Sequence, residues 1–508
     1  ISNINSVALL TLQGNSMVGI PGFSKRLFET LAREKINIII ATQASSEHSI
    51  CVGIADKEST LAKYVIDKEF ENEISLFKID PLVVETNLSI IAIVGDQMKS
   101  HQGISGKMFS TLGRNNINIR AIAQGASERN ISAIIAESDV EKALNCLHER
   151  FFESETKQIN LFISGVGNVG KSLINQIEQQ KKYIKSTLNV KLKVIGLSNS
   201  KKMVLDKTGI NLNDWESVLN NGKKSGPIDF FEATKSLNLR NSIFVDITAS
   251  DMVASSYALY LKQSIAVVAC NKIACSSKIE NYLELKQLSH KYNVPFLFET
   301  NVGAGLPVID TLKHLINSGD KINTVHAVLS GSLNYIFNNF NKSTTFHDVV
   351  KQAQIEGYTE PDPRIDLSGV DVARKLLILA RESGEMIDMN GIENEAFLPE
   401  ECMTANSVEA FYETLKSKEV HFQKFFTSAE SNQCQLKYVS EYKDGVAKVG
   451  LKEIPEGHPF YNLEGKDNIV MFYTNRYKDQ PMIIKGAGAG SEVTASGLFA
   501  DIIRISKN

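Results

Sequence analysis

The sequence predicts an α/β chain in three parts: tandem α+β repeats, then a nucleotide-binding parallel sheet, then a larger α+β domain. Three observations carry that prediction. The first 150 residues hold one segment twice, and residues 159–170 run from an apolar strand through a glycine loop into a helix. Beyond them, EGYTEPDPRIDLSGVDVARK (Glu356 to Lys375) crowds five carboxylates and three basic residues just before the apolar run LLILA. A dinucleotide fold needs a substrate domain, and this segment lies where one would follow.

Composition narrows the field before any motif is used. At 508 residues the chain is too long for one core, and three or four domains are expected. A net charge of −3 argues against a nucleic-acid or anionic-membrane partner, because both require a basic face. No apolar run approaches the roughly 18 residues that span a bilayer. Cys51, Cys146, Cys270, Cys275, Cys402 and Cys434 form no CxxC pair and no zinc spacing, which predicts a reduced, cytoplasmic chain. The sequence opens on Ile1 rather than Met, so the expectation is a chain lacking its natural N-terminus, with any transit segment upstream.

In the repeat, ALLTLQGNSMVGIPGFSKRLFETLAREKINIIIATQ matches SIIAIVGDQMKSHQGISGKMFSTLGRNNINIRAIAQ at one constant offset without a gap. Gly14 pairs with Gly95, Met17 with Met98, Gly22 with Gly103, Phe28 with Phe109 and Asn37 with Asn118. Each copy reads strand, glycine turn, amphipathic helix, strand, polar hairpin, strand. Phe23, Leu27, Phe28 and Leu31 form the stripe expected to pack on the copy's own sheet. Gln43 and Gln124 occupy equivalent positions at the ends of apolar strands. An amide offers both donor and acceptor, which suits either a zwitterionic amino acid or the adjacent loop. The pattern resembles the paired ACT domains of aspartokinases, over about the first 150 residues. That resemblance implies regulatory domains at 1–152, effector sites at Gln43 and Gln124, and L-threonine as effector.

From residue 159, after the polar join FFESETKQ, INLFISGVGNVGKSLINQ places Gly165, Gly167 and Gly170 between a strand and a helix. Such a loop permits a tight turn and close backbone approach, and the helix N-terminus offers amides to a pyrophosphate. Gly165, Val166, Gly167, Asn168, Val169 and Gly170 are therefore the candidate cofactor loop of a Rossmann-type domain. The second strand, KLKVIGL, ends in Ser198 and Asn199 with two lysines rather than in an acid. That composition favours the 2′-phosphate of NADP, with NAD as the alternative. Two further strands, SIFVDITAS and SIAVVACNK, put Thr248 and Lys272 at the edge that faces a ligand. The lysine is either a nicotinamide contact or a solvated rim residue. The glycine-rich turn after Glu299 exposes carbonyls that either hold a monovalent cation or only shape the turn.

In the charged segment, Pro361 and Pro363 forbid a helix through the acids, and Ser368 is placed to cap the helix that follows. Val372, Ala373, Leu376, Leu377 and Ala380 form its buried stripe. Asp371, Arg374, Lys375 and Ile378 share the opposite side, with Asp371 and Lys375 one turn apart. A surface ion pair would explain that spacing, and so would a site that binds an amino acid and moves a proton at an alcohol.

GYTEPDPRIDLSGVDVARK resembles the signature of homoserine dehydrogenases, as do NVGAGLPVIDTL, LSGSLNYIFN and GAGAGSEVTASGLFADIIRI. The resemblance covers about 350 residues, and with the repeats in front the chain is similar to the rear part of a bifunctional aspartokinase–homoserine dehydrogenase. It implies a nucleotide domain at 159–300 completed by 485–508, and a catalytic and dimerisation domain at 301–484. It further implies reduction of L-aspartate 4-semialdehyde to L-homoserine by NAD(P)H, in a homodimer or homotetramer, with no kinase activity in this portion. Glu360 and Asp371 would hold the substrate, Gly357 and Tyr358 would shape its pocket, and Lys375 would donate the proton with Lys272 nearby. Glu299 and the carbonyls of Val302, Ala304 and Leu306 would bind Na⁺ or K⁺, and Gly488 would bring backbone to the cofactor. Two positions depart from the family pattern: Ile247 stands where a cysteine is common, and NKIACS has one lysine where some members have two. A rival reading is an idle sensor with a dehydrogenase-like fold, but no lysine or glycine of the pattern is missing.

Overall fold

The computed structural model describes residues 1–14, 17, 21–46, 48–95, 102–125, 129–152 and 156–507. Met98 of the repeat and Glu153–Glu155 of the polar join lie outside the described residues. Two compact units emerge, one of residues 1–157 with 237–241, the other of 158–236 with 242–508.

The first unit is the duplication made solid. Strand Ser2–Gln13, helix Phe23–Arg33, strand Ser49–Ala55 and helix Ser59–Glu69 recur as Val83–Val94, Ile104–Arg114, Asn130–Ala136 and Val140–Phe151. The six strands build one antiparallel sheet, ordered Ile38–Gln43, Ser49–Ala55, Ser2–Gln13, Val83–Val94, Asn130–Ala136, Ala121–Ala123. Its centre joins the two copies, with Leu10 opposite Val84. Strand alternation then sorts the side chains. Ala8, Leu10 and Leu12 meet the helices through Leu27, Leu31 and Ile66. Val7 and Leu9 face the other way and cluster with Leu88, Ile90 and Ile134 from the second copy. The edge strands Ile38–Gln43 and Ala121–Ala123 approach one another, so this second face is curled inward. The predicted helix stripe needs one correction. Phe28 is 37% exposed, because the residues turned to the sheet are Leu27, Thr30 and Leu31, and position 28 lies a further 100° round the helix.

The second unit holds two sheets. The first is ordered Lys223–Lys224, Lys202–Leu205, Val190–Ser198, Lys157–Ser164, Ser242–Asp246, Ala266–Ala269, Phe296–Leu297. Val245 pairs in parallel with Ile163 on one side and Val268 on the other, and these strands are buried on both faces. The order reverses between Lys157–Ser164 and Ser242–Asp246, which creates a ligand crevice at their C-terminal ends. The second sheet is ordered Ile392–Glu395, Val446–Pro455, Cys434–Lys443, Ile322–Val328, Asp467–Thr474, Met482–Ala487. After Ala487 the chain returns to the nucleotide sheet as helix Ser491–Lys507, where Gln176 Nε2 donates to Glu492 O at 2.9 Å.

Helix Val370–Glu382 is buried more widely than the single stripe of Val372, Ala373, Leu376, Leu377 and Ala380 implies. Every residue from Leu376 to Arg381 is buried, Ile378 among them, so the element is a core helix on which the site is mounted. Its N-cap is Gly369 at φ 71°, where a Cβ would lie 2.0 Å from the Tyr438 hydroxyl, and as glycine it supplies no side-chain cap. Ser368 ends the short helix Arg364–Leu367, with its hydroxyl donating to Ile365 O at 2.8 Å, and from one residue before the N-cap it still accepts from Val370 N, the first amide of the long helix, at 3.3 Å. That short helix includes Asp366 and starts directly after Pro363, whose fixed φ suits a helix N-terminus.

Candidate active site

At the glycine loop each glycine has a distinct reason. Gly165 has φ 97°, and a Cβ there would sit 2.6 Å from Ile247 O; one on Gly170 would sit 2.3 Å from Gly165 O. These two close the turn onto the neighbouring strand and onto the helix. Gly167 is the N-cap of helix Asn168–Leu188, makes no side-chain cap, and has nothing within 4 Å of its would-be Cβ. Packing therefore does not require it, whereas a pyrophosphate on the helix N-terminus does. Val166, Asn168 and Val169 complete this loop, and the residues present fit a dinucleotide.

The second-strand loop presents less than its composition suggested. Ser198 is buried and its hydroxyl donates to Ser164 Oγ at 3.1 Å, while its carbonyl accepts from Gly165 N. Asn199 Oδ1 accepts from the amides of Lys201 and Lys202, and Lys202 Nζ donates to Asn220 O. Among these groups the ammonium of Lys201 is left facing solvent. Thr248 stands across the crevice, its methyl 3.0 Å from a would-be Cβ on Gly165.

The two lysines converge on one carboxylate. Lys375 Nζ lies 2.9 Å from Asp371 Oδ2, and Lys272 Nζ lies 3.4 Å from Asp371 Oδ1. Lys375 also donates to Leu329 O at 2.7 Å, and its side chain is only 11% exposed. This is no surface pair. Burial would raise the Asp371 carboxyl, but the ammonium groups of Lys375 and Lys272 hold it well below the usual carboxylate range. Asp371 itself remains 47% exposed, so a ligand can reach the cluster.

The loop ahead of this helix is clamped from several sides. Asp366 Oδ2 accepts from Glu360 N at 2.8 Å, and Asp366 Oδ1 accepts from Ser332 Oγ at 2.8 Å. Burial pushes the Asp366 carboxyl up, against the hydrogen bonds from Glu360 and Ser332. Gln354 Nε2 holds Pro361 O at 2.7 Å, and Arg364 grips Asp362 through two nitrogens. Gly357 takes φ 75° at the end of helix Phe346–Ile355, and Tyr358 stacks on Tyr335 with ring centroids 4.0 Å apart. Glu360 is positioned through its backbone. Its carboxylate is exposed and, among the described residues, pairs with neither lysine.

Two residues of this site were given no role from the sequence, although Asp366 is one of the five carboxylates of the charged segment. Asp366 acquires its partner from a helix that starts at Gly331. Asn468 is fully buried, donates to Leu329 O at 3.4 Å, leaves its Oδ1 unpartnered, and packs so tightly that a Cβ on Gly488 would lie 1.9 Å from its Cγ.

The candidate cation turn is oxygen-rich and strained in the required sense. Gly303 and Ala304 both have positive φ, at 76° and 55°, which turns successive carbonyls, and Val302 and Ala304 are buried. Glu299 is 5% exposed, and its two oxygens accept from Ile309 N at 2.7 Å and Asp310 N at 2.8 Å. Burial pushes its carboxyl up to about 7, helped by Asp501 and opposed by these amides and Arg504. Leu306 O already accepts from Val308 N at 2.8 Å and keeps a second lone pair. Among the described residues no three His, Cys, Asp or Glu side chains gather as metal ligands. One carboxylate with backbone carbonyls suits a hard monovalent cation.

In the first unit, Gln43 is the exposed last residue of its strand, and Gln124 is exposed and accepts from Ser105 Oγ at 3.1 Å. Both point to the helix-bearing face, since Gln43 is opposite Ile50 and Gln124 meets helix Ile104–Arg114.

Comparison with known proteins follows the same division. The ACT domain family matches residues 10–70 and 91–151, the NAD-binding domain of homoserine dehydrogenase matches 165–299, and the homoserine dehydrogenase family matches 307–503. A chloroplastic bifunctional aspartokinase/homoserine dehydrogenase of Zea mays is 40% identical over 99% of this chain and 55% of its own length. The chain thus spans about half the length of such relatives. The homoserine dehydrogenase of Schizosaccharomyces pombe is 35% identical over 68% of this chain and 95% of its own. Among solved structures, a mutant hyperthermophilic archaeal homoserine dehydrogenase in complex with NADPH aligns at a TM-score of 0.54 with 25% identity, over 69% of this chain and 98% of that one.

Proposed function

The chain belongs to the homoserine dehydrogenase family of NAD(P)-dependent oxidoreductases, and we propose that it reduces L-aspartate 4-semialdehyde to L-homoserine. The single observation that carries this reading is the Lys272–Asp371–Lys375 cluster beside the glycine loop's crevice. The bound nicotinamide cofactor supplies the hydride. NADP is favoured, since Lys201 offers a free ammonium for a 2′-phosphate and a homologue was solved with NADPH; NAD is the alternative.

Lys375 is the proton donor to the alkoxide that develops as the aldehyde is reduced. It is mounted on a core helix, and the carbonyl of Leu329 and the carboxylate of Asp371 fix its direction. Lys272, on the nucleotide side, adds positive charge to the same place, where it stabilises developing negative charge on the oxygen. Asp371 and Glu360 hold the substrate ammonium; the exposed Glu360 carboxylate is free to close on it. Gly357 and Tyr358 set the pocket wall. Glu299 with the carbonyls of Val302, Ala304 and Leu306 would hold Na⁺ or K⁺, which would neutralise a buried carboxylate next to the catalytic domain.

Gln43 and Gln124 are the proposed contacts for L-threonine, and a homo-oligomer is the proposed assembly. Unpaired cysteines suit the cytoplasm or another reducing compartment, and no helix of the described residues is long and apolar enough to cross a membrane. No kinase step is proposed for these residues.

The test is oxidation of NADPH or NADH on adding aspartate 4-semialdehyde to wild type and to Lys375→Ala. Turnover that falls by about 10³-fold in the variant, with cofactor affinity unchanged, supports both reaction and proton donor. A folded, cofactor-binding wild type without turnover would sink the reading in favour of the idle sensor.

A further inference from the structure

We propose that Asp246 is the positioning residue of the nicotinamide end of the site, setting Thr248 and Lys272 at once from behind the crevice. The inference rests on the reaction proposed above. Asp246 ends a central parallel strand and is fully buried. Its Oδ1 accepts from Thr248 N at 2.7 Å, and its Oδ2 accepts from Tyr257 OH at 2.6 Å and Asn271 Nδ2 at 3.1 Å.

Each arm leads to a group at the crevice. Through Thr248 N the carboxylate fixes the residue whose methyl closes against Gly165. Through Asn271 it fixes the turn that launches Lys272. Asn271 Nδ2 also donates to Ser250 O at 3.0 Å, and its Oδ1 accepts from Ile273 N at 3.1 Å. Every bond Asn271 makes therefore depends on one amide orientation, and Lys272 follows directly, with its ammonium reaching Asp371. An ionised carboxylate only accepts, so it alone among side chains of this size serves three donors at once. Burial pushes the Asp246 carboxyl up, while the bonds from Tyr257, Thr248 and Asn271 oppose that.

Asp246→Asn keeps the shape but turns an NH₂ toward Thr248 N or toward Asn271 Nδ2, which can only donate; Tyr257 OH alone could rotate to accept from it. Asn271 cannot flip in response without losing Ser250 O and Ile273 N. Tyr257→Phe removes one donor and leaves both arms intact. Hydride transfer is followed in single turnovers with NADPH and with NADPH deuterated at the transferred position, alongside NADPH affinity and thermal melting. Asp246→Asn is expected to transfer hydride about ten- to a hundredfold more slowly with the full primary isotope effect, at cofactor affinity within about threefold of wild type. Tyr257→Phe is expected to stay within about threefold of the wild-type rate.

A wild-type transfer rate in Asp246→Asn, or equal losses in both variants, would overturn the positioning role and leave only packing. Where Asp246→Asn does not fold, Asn271→Ser reads the arm toward Lys272, and an unslowed transfer in it overturns the proposal equally. Absence of turnover in wild type is scored separately, because it defeats the proposed reaction rather than the role of Asp246.

Discussion

Replacing Glu299 by Gln should reverse its effect on stability between acid and alkaline pH. The carboxyl titrates near 7 in the fold against a reference of 4.5. A folded-state value above the unfolded one means that the native protein binds more protons between pH 4.5 and 7. Stability therefore falls as pH rises through that window, and the loss is complete above about 7. Two and a half units at about 1.4 kcal/mol each amount to roughly 3 kcal/mol, and little is screened because the side chain is 5% exposed. Asp501, pushed up to about 6 by burial, shares the cluster, so the two titrate as a pair. Glutamine abolishes the titration but can accept from only one of the amides of Ile309 and Asp310, at a cost of about 1–2 kcal/mol. At pH 5 the variant should therefore be the less stable protein. At pH 8 the gap should close or invert, with the crossing between pH 6 and 7. Denaturant unfolding followed by fluorescence of Trp215, the one tryptophan, reads this in the relevant unit. Added Na⁺ or K⁺ should stabilise wild type more at pH 8 than at pH 5 and leave the variant nearly unaffected. Parallel stability–pH curves for the two proteins would refute the reasoning.

Other substitutions separate packing from chemistry. Gly167→Ala should fold normally, since its Cβ enters open space, yet bind NADPH about tenfold more weakly by equilibrium fluorescence. Gly165→Ala should lower the melting temperature as well, because its φ of 97° and the contact with Ile247 O both forbid a side chain. Asp371→Asn should reduce kcat by about 10²-fold and cost about 2 kcal/mol in denaturant titration. That stability loss is smaller than for a fully buried pair, because the carboxylate is half exposed.

What was legible in the sequence was whatever repeated or whatever glycine enforced. The repeat located its strands and first helices because the second copy confirms each element of the first. The helices Ser59–Glu69 and Val140–Phe151 were missed: in the first, Leu61 and Tyr64 are exposed while Ala62 and Ile66 are buried, so hydrophobic letters do not trace the buried face. Residues 385–450 hold no motif used above, yet Cys434–Lys443 and Val446–Pro455 form a hairpin that begins there. Its Asp444-Gly445 turn, both at positive φ, is a signal that was available and unused. Asp371 and Lys375 could be paired by helical spacing alone, but the approach of Lys272 depends on packing two sheets together. The inward turn of the Ser198 hydroxyl likewise depends on the neighbouring strand's Ser164.

Gln43 and Gln124, the proposed effector contacts, should not be equivalent, although the duplication makes them so in sequence. On the sheet's inner face behind Gln124, Ile4, Ile39, Ile90 and Ser132 border a cavity of about 210 Å³. The repeat places Glu85 where Ile4 stands and Arg120 where Ile39 stands, and these pair at 3.0 Å, bracing the end that backs Gln43. Gln124 must also give up its bond from Ser105, a constraint not drawn at Gln43 among the described residues. A braced site with an uncommitted amide binds with less reorganisation than a hollow-backed one. If threonine is the effector, calorimetry should resolve two binding events of unequal affinity. Gln43→Ala should weaken the tighter event by about fivefold, and Gln124→Ala the weaker. A single class of identical sites, or variants that each depress both events alike, would show that the duplication kept its symmetry in function after losing it in structure.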